Sequence, residues 1–197
     1  MTPLMTPPPR TPTPLRWTCD AFHSLCSTGV FSGRRAILID GVIITMALPD
    51  PPHNTSLNLA QDLLRAIFNS GCHVRNQQAF DVGTANDPGP DLAVVPGGIR
   101  DYATRQATSA VLIVEVSDTT LFMDTTTKAE LYATAGVEDY WVIDLEHRQL
   151  LVFRDPVPLP QGLGATAYRT QFTLGPTDRI SPLAAPGSSI LVADMLP

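Results

Sequence analysis

Hydrophobic positions along the chain recur either at helical spacing or in short continuous runs. The clearest helical stripe predicts an amphipathic helix from about residue 53 to residue 69, and Gly71 follows as a stop signal. Its apolar positions are Leu57, Ala60, Leu63, Leu64 and Ile67. Thr18 suits the N-cap of a short helix over residues 19–27, and a third helix is predicted over residues 126–135. Pro49, Pro51 and Pro52 predict a break before the long helix.

The short apolar runs predict strands. Residues 36–46 form two such runs joined by Asp40-Gly41, a strong signal for a β-hairpin. The other predicted strands cover residues 74–79, 92–95, 111–117, 140–144 and 150–154, with weak strands near 167–174 and 189–192. The alternation of helices with hairpins and strands predicts an α/β fold, in which a mixed central sheet is flanked by helices.

Proline divides the chain into two parts. Residues 1–16 contain six prolines, which prevent a helix and predict a disordered, extended tail. Residues 17–197 are enough for one domain with its own hydrophobic core.

Charge and cysteine content limit the classes of function that are possible for this chain. The net charge of −6 argues against a broad, non-specific nucleic-acid binder, but it is compatible with an enzyme that binds nucleic acid in a local groove. Three cysteines without CxxC spacing indicate neither a disulfide framework nor a zinc site, so a reducing cytoplasm is the expected location. No apolar stretch approaches the roughly 20 residues that span a bilayer, so no membrane association is expected.

Two acids stand out beside apolar runs. Glu115 interrupts the run of residues 111–116, where a buried carboxylate is costly unless a cation, a hydrogen-bond network or a metal compensates it. A structural pair with an arginine is the alternative. Asp91 follows Pro90 at the start of another run, where an aspartate commonly serves a turn by bonding its own backbone. Together, two inward acids on two strands can share a hard cation.

Lys128 is the one lysine beside twelve arginines, which marks it for a specific role. Asp124 and Tyr132, four residues to either side, would share its helix face. A lysine near a helix N-terminus is not favoured by the helix dipole, which prefers acids there. The alternative is a solvated surface lysine paired with Glu130 or Asp124.

His53 begins the long predicted helix. Its imidazole could reach a metal or a phosphate, and the alternative is a capping or surface role.

These residues together resemble one known family. The matching segments are Pro90 to Val95, Val114 to Ser117, Asp124 to Lys128 with Tyr132, Ala135 to Asp144, Leu38 to Gly41, and Pro52-His53. In this order and spacing, the sequence from about residue 17 to residue 155 resembles the Uma-two family of restriction endonucleases, which belongs to the PD-(D/E)XK nuclease superfamily.

The resemblance implies a restriction-endonuclease-like fold and a Mg²⁺ site formed by Asp91 and Glu115, with Mn²⁺ as an alternative ion. It also implies that the superfamily's usual catalytic lysine, whose place is taken here by Ser117, has moved to Lys128. Family members commonly carry glutamates where this chain has Ile37 and Val42. If the first of these glutamates helps the metal site, its loss here would weaken metal binding or turnover.

The resulting hypothesis is hydrolysis of DNA phosphodiesters, with Asp91, Glu115 and Lys128 catalytic and with Asp124, Tyr132 and His53 supporting them. Cleavage of both strands would favour a homodimer by symmetry. Two alternatives remain. The first is a binding or assembly module that keeps the nuclease fold without catalysis. The second is a structural ion-pair cluster of Lys128 with Glu115 and Asp91.

Overall fold

The structure is a computed structural model that describes residues 12–158 and 166–197. The predicted proline-rich tail lies mostly outside the described residues. In chain order the elements are α1 (Cys19–Ser27), β1 (Arg35–Ile39), β2 (Val42–Met46), α2 (Pro51–Ile67), β3 (Cys72–Asn76), β4 (Leu92–Pro96), β5 (Leu112–Ser117), α3 (Leu121–Met123), α4 (Ala129–Thr134), β6 (Asp139–Asp144), β7 (Gln149–Pro158), β8 (Thr166–Leu174), β9 (Arg179–Ile180) and β10 (Ile190–Leu191).

The central sheet has six strands in the order β3-β4-β5-β6-β7-β8. Strands β5 and β6 are parallel, while every other neighbouring pair in this sheet is antiparallel. A parallel pair needs a crossover connection, and the segment from residue 121 to residue 134 supplies a helical one. The predicted mixed sheet flanked by helices is therefore confirmed.

Side chains alternate between the two faces of this sheet, and each face has its own hydrophobic cluster. On one face, Val94, Val114 and Trp141 pack with Leu64 of α2. The apolar positions of that helix form its buried stripe because they recur at helical spacing. On the other face, Ile113 and Val142 pack with residues of α4. Glu115 lies two residues after Ile113, and Asp91 lies two residues before Ala93, the partner of Ile113 on β4. Both acids therefore point to the face of the sheet that packs against α4.

The long helix begins earlier than predicted. Helix α2 starts at Pro51, so Pro51 and Pro52 occupy its first turn instead of breaking the chain. The first turn of a helix tolerates proline because its N–H groups have no partner inside the helix. Asp50 caps the helix by accepting a 3.0 Å hydrogen bond from the backbone N–H of His53. The helix ends at Ile67, two residues before the predicted end.

The third helix differs most from its prediction. The helical segment starts at Leu121, five residues before the predicted start, and residues Asp124–Lys128 form a wide π-helical turn before α4. Thr125 donates a 2.7 Å hydrogen bond from its hydroxyl to the carbonyl of Leu121, one turn back. Threonines usually disfavour the interior of a helix because their hydroxyls compete for backbone hydrogen bonds. Here the hydroxyls of Thr125 and Thr126 donate to carbonyls one turn back in the same helical segment.

Smaller differences concern the strands. Strand β3 covers Cys72–Asn76, not residues 74–79, because Gln77 takes a left-handed conformation with φ of 48° and ends it. The predicted hairpin is confirmed, with Asp40 and Gly41 both at positive φ in its turn. The weak strand predicted near residues 189–192 is shorter in the structure, where β10 covers only Ile190–Leu191. Val192 and Met195 follow this strand and pack in the same core cluster as residues of α2.

Among the described residues, no helix combines the length and hydrophobicity needed to cross a lipid bilayer.

Candidate active site

Strands β4 and β5 bring Asp91 and Glu115 together. Leu92 pairs with Val114 across the two antiparallel strands, so the preceding Asp91 lies beside Glu115. The backbone N–H of Asp91 donates to Oε2 of Glu115 at 3.3 Å, and the N–H of Val116 donates to Oδ2 of Asp91 at 2.9 Å. Both acids are at most 2% exposed. The carboxylate of Asp91 therefore reaches across to the next strand instead of bonding its own turn.

Lys128 completes a buried cluster with these acids. Its Nζ lies 3.0 Å from Oε1 of Glu115 and 3.1 Å from Oδ1 of Asp124, and its side chain is 4% exposed. It is therefore not a solvated surface lysine. On its own helical segment, Lys128 is ion-paired with Asp124. The buried Glu115, for which an arginine was the alternative partner, is ion-paired with Lys128.

The π-helical turn positions Asp124 and Lys128 on one face of the helical segment. A π-turn is wider than an α-turn, and such turns are frequent at functional sites. The hydroxyl of Thr120 donates to Oδ2 of Asp124 at 2.6 Å, and Tyr140 donates to its backbone carbonyl at 2.8 Å. The carboxylate that holds Lys128 is thus fixed from its side chain and from its backbone.

Tyr132 orients the second acid. Its hydroxyl donates a 2.6 Å hydrogen bond to Oε1 of Glu115, the same oxygen that faces Lys128. Burial raises the pKa of Glu115 to about 7, although the charge of Lys128 opposes that rise. Burial also raises the pKa of Tyr132 well above its ordinary value, so this phenol remains a donor. For Lys128, burial favours the neutral amine, but the neighbouring charges of Glu115 and Asp124 outweigh it and raise the pKa.

Asp91 is surrounded by cations and donors. Nη1 of Arg35 lies 2.6 Å from Oδ1 of Asp91, and Nε2 of His53 lies 3.3 Å from Oδ2. Gln77 donates to Oδ1 at 3.2 Å. Burial alone would raise the pKa of Asp91, but the hydrogen bond from His53 and the charges of Arg35 and Lys128 lower it well below its usual range. His53 is 8% exposed, so it lies inside the site and not on the surface.

All six residues predicted for the site therefore lie together. Five of them line a pocket of about 210 Å³, which lies between the segment after β2 and the segment after β5. The sixth, Tyr132, lies behind Glu115 and contacts it through its hydroxyl. Ile37 is 1% exposed and apolar where the resembling family commonly has a glutamate, whereas Val42 is 46% exposed. The pocket therefore has no acid at the position of Ile37.

The donor set fits a hard divalent cation. Among the described residues no group of three or more His, Cys, Asp or Glu side chains converges as a complete metal cage. Mg²⁺ needs no such cage because it keeps several waters and binds through one or two carboxylates plus substrate phosphate. Asp91 and Glu115 supply two adjacent carboxylates beside an open pocket.

Sequence reasoning missed four residues that hold the predicted ones in place: Arg35, Gln77, Thr120 and Tyr140. Arg35 is one of twelve arginines, and its partner Asp91 is 56 residues away. One weak signal was available, because strand alternation puts Arg35 on the face of the buried Ile37. Gln77, Thr120 and Tyr140 are ordinary residue types in ordinary positions, so only the contacts reveal them.

The comparisons with known proteins concern the family and the fold. The model of a family described as "Uma2: Putative restriction endonuclease" matches residues 19–193. A crystal structure titled as a "putative nuclease belonging to DUF820" from Anabaena variabilis is similar in fold, with a TM-score of 0.68 at 16% identity. The alignment covers 90% of this chain and 96% of that one. No functionally curated protein matches the chain.

Proposed function

This chain belongs to the Uma2 family, described as putative restriction endonucleases, and we propose that it is a Mg²⁺-dependent endonuclease that hydrolyses phosphodiester bonds in DNA. The observation that carries this proposal is the meeting of Asp91, Glu115 and Lys128 in one pocket, with Lys128 Nζ 3.0 Å from Glu115. Two carboxylates and a lysine that line one pocket are groups that can carry out metal-assisted phosphodiester hydrolysis.

Asp91 and Glu115 would hold the metal ion. Bound there, Mg²⁺ supplies Lewis acidity, which polarises the phosphate and lowers the pKa of a water; Mn²⁺ could replace it. The low pKa of Asp91 keeps this carboxylate ionised and ready to bind a cation at any physiological pH. Glu115 titrates near neutrality without a metal, and a divalent charge beside it would favour its ionised form.

Lys128 would stabilise the negative charge that develops on the phosphate or orient the attacking water. Its Nζ is ion-paired with Glu115 and Asp124, and its side chain lines the pocket. An ammonium carries three N–H donors, so it can interact with a substrate phosphate as well as with the two acids. Asp124 and Tyr132 would be positioning residues, since they touch Lys128 and Glu115.

His53 would act on Asp91. Its Nε2 lies 3.3 Å from Oδ2, so the imidazole restricts the carboxylate to one orientation at the pocket wall. Nδ1 of the same ring is buried and has no hydrogen-bond partner among the described residues.

The acidic charge of the chain limits how it binds DNA. A net charge of −6 implies modest affinity that falls with salt. We propose a homodimer for cleavage of both strands, because a two-fold axis presents one site to each strand of a duplex.

A cleavage assay tests the proposal. Supercoiled and single-stranded DNA are incubated at low salt with Mg²⁺ or Mn²⁺, with wild-type protein and with Glu115→Ala. Metal-dependent cutting by the wild type that is lost in the variant is the expected result. Absence of cutting in both, together with no heat of metal binding in calorimetry, would reject the enzyme hypothesis.

The second candidate is a module that keeps the nuclease fold for binding or assembly. One observation favours it: both acids already have cationic partners inside the protein, Asp91 with Arg35 and Glu115 with Lys128. Ile37 also leaves no third acid. Such a module need not bind Mg²⁺, so metal titration separates the two candidates.

A further inference from the structure

Arg35 is a cation of the pocket that the proposed mechanism does not use. It lies on β1, outside the central sheet, and its guanidinium bridges Oδ1 of Asp91, at 2.6 Å, and the carbonyl of Gly89. Its side chain is 18% exposed and lines the same pocket as Lys128, whose side chain is 4% exposed. Arg35 is therefore the more accessible of the two permanently charged cations that line this pocket.

The guanidinium has unused hydrogen-bonding capacity. Arginine carries five N–H donors, and the hydrogen bonds described for Arg35 use two of them, one on each terminal nitrogen. A planar fork with free donors matches the oxygens of a phosphate group. Lys128 is less available, because its side chain is 4% exposed and its ammonium is ion-paired with both Glu115 and Asp124.

The charge balance of the pocket indicates when Arg35 becomes free. Five acids line the pocket, and against them stand Arg35, Lys128 and the titratable His53. The acids are Asp50, Asp91, Glu115, Asp118 and Asp124. A DNA phosphate that enters this pocket without a metal meets a net negative surface. A divalent cation on Asp91 would replace Arg35 as its counter-ion and leave the guanidinium uncompensated beside the pocket.

We propose that Arg35 has two alternative partners: the carboxylate of Asp91 in the metal-free protein, and a phosphate of the DNA substrate in the metal-bound protein. Arg35 thereby competes with the metal for Asp91 and makes DNA binding depend on the metal. This inference rests on the proposed function, since it assigns the phosphate contact of the same site.

Binding measurements test it without any need for cleavage. Calorimetry measures Mg²⁺ affinity without DNA, and fluorescence anisotropy measures the affinity for a short labelled duplex in EDTA and in Ca²⁺, which takes oxygen ligands as Mg²⁺ does. The variant is Arg35→Gln, and the matched control is Arg34→Gln. Arg34 is the exposed neighbour outside the pocket, and its substitution removes the same charge.

Arg35→Gln should bind Mg²⁺ at least as tightly as the wild type, because a competing cation has gone. The gain in DNA affinity that the metal produces should fall about tenfold or more, which corresponds to one lost charged hydrogen-bonded contact. The slope of log affinity against log salt should fall in magnitude by about one. Arg34→Gln should match the wild type in metal affinity and in metal-dependent gain.

Arg35→Lys keeps the positive charge beside Asp91 but lacks the planar set of N–H donors that a guanidinium offers to a phosphate. It should therefore lose part of the gain in DNA affinity that the metal produces. If Arg35→Gln does not fold, a comparison of Arg35→Lys with Arg34→Lys decides the question. Equal metal-dependent gains in Arg35 variants and their Arg34 controls would show that the assignment of Arg35 is wrong. A wild-type protein that binds Mg²⁺ but gains no DNA affinity from the metal would overturn this inference and leave the proposed function to the cleavage assay. A wild-type protein that binds no Mg²⁺ in calorimetry would reject both.

Discussion

The hydroxyl of Tyr132 lies 2.6 Å from Oε1 of Glu115, and neither side chain is more than 1% exposed. Because burial raises the pKa of the phenol, Tyr132 keeps its proton and serves as a fixed donor. Helix α4 thus fixes the orientation of a carboxylate that strand β5 supplies. The remaining oxygen, Oε2, accepts from the backbone N–H of Asp91, so the helix and both strands determine where this acid points.

Replacing Tyr132 with Phe should reduce both the stability of the protein and its activity. The change removes one hydrogen bond to a buried acid, which costs about 1–3 kcal/mol of unfolding free energy. Partners that orient a metal ligand are typically worth about 10–100-fold in metal affinity or activity. Urea denaturation and DNA cleavage measure the two effects.

Tyr168→Phe is the matched control for that variant. Tyr168 is also buried, and its hydroxyl donates to the carbonyl of Val137 at 2.7 Å, away from the residues that line the pocket. It should lose comparable stability and keep its cleavage rate. Equal losses of activity in both variants would mean that Tyr132 acts only through stability.

Lys128→Met should lose activity and stability together. Methionine keeps most of the buried volume but leaves Glu115 and Asp124 without their cation, and breaking a buried pair costs about 3–5 kcal/mol. Loss of a donor to the developing charge costs about 10²–10³ in rate. Chemical denaturation gives the first value and single-turnover cleavage the second. A stable variant that cleaves at the wild-type rate would remove Lys128 from the mechanism.

Local patterns were enough to predict much of the fold. The Asp40-Gly41 turn was predictable because a tight hairpin turn demands positive φ at both positions, and few residue pairs supply it. The helix stripe through Leu57 and Leu64 and the lone acid in strand β5 were equally clear. In each case the physical cause lies within a few residues of sequence.

The site details depend on distant contacts, so local patterns could not predict them. The π-turn that aligns Asp124 with Lys128 crosses three consecutive threonines, whose intrinsic preferences oppose a helix interior. It is held by partners outside the segment, including Tyr140 on the carbonyl of Asp124. The contact of Arg35 with Asp91 depends on how β1 lies against the segment before β4, where Leu38 bridges Asp87, and no local pattern encodes this.

Mg²⁺ should raise the thermal unfolding temperature of the wild-type protein, because the two carboxylates that would bind the ion are brought together only in the folded state. At 100 times the dissociation constant the gain is about 2.7 kcal/mol. EDTA should reverse it, and Asp91→Asn should abolish it. Differential scanning calorimetry with and without Mg²⁺ measures the shift.

Asp139→Asn is the control for the metal experiment. Asp139 is another buried, ion-paired acid of the same sheet, with Arg154 Nε at 2.8 Å, but it does not line the pocket. This variant should be less stable than the wild type and should show the full Mg²⁺ shift. If its shift disappears as in Asp91→Asn, the ion is binding elsewhere or the fold is perturbed.

A lysine transplanted to position 117 should partly restore activity to a protein that lacks Lys128. Ser117 is two residues after Glu115 on β5, so both side chains lie on the same face of the sheet. Ser117 is fully buried, and its hydroxyl has no hydrogen-bond partner among the described residues. Combining Ser117→Lys with Lys128→Ala removes the ammonium on the helix and supplies one from β5. The double variant should therefore cleave faster than Lys128→Ala alone. Single-turnover cleavage rates of these two proteins measure the rescue. The control for side-chain volume is the double variant with Ser117→Met and Lys128→Ala. If the lysine and methionine versions both fold and are equally inactive, an ammonium supplied from position 117 does not replace that of Lys128.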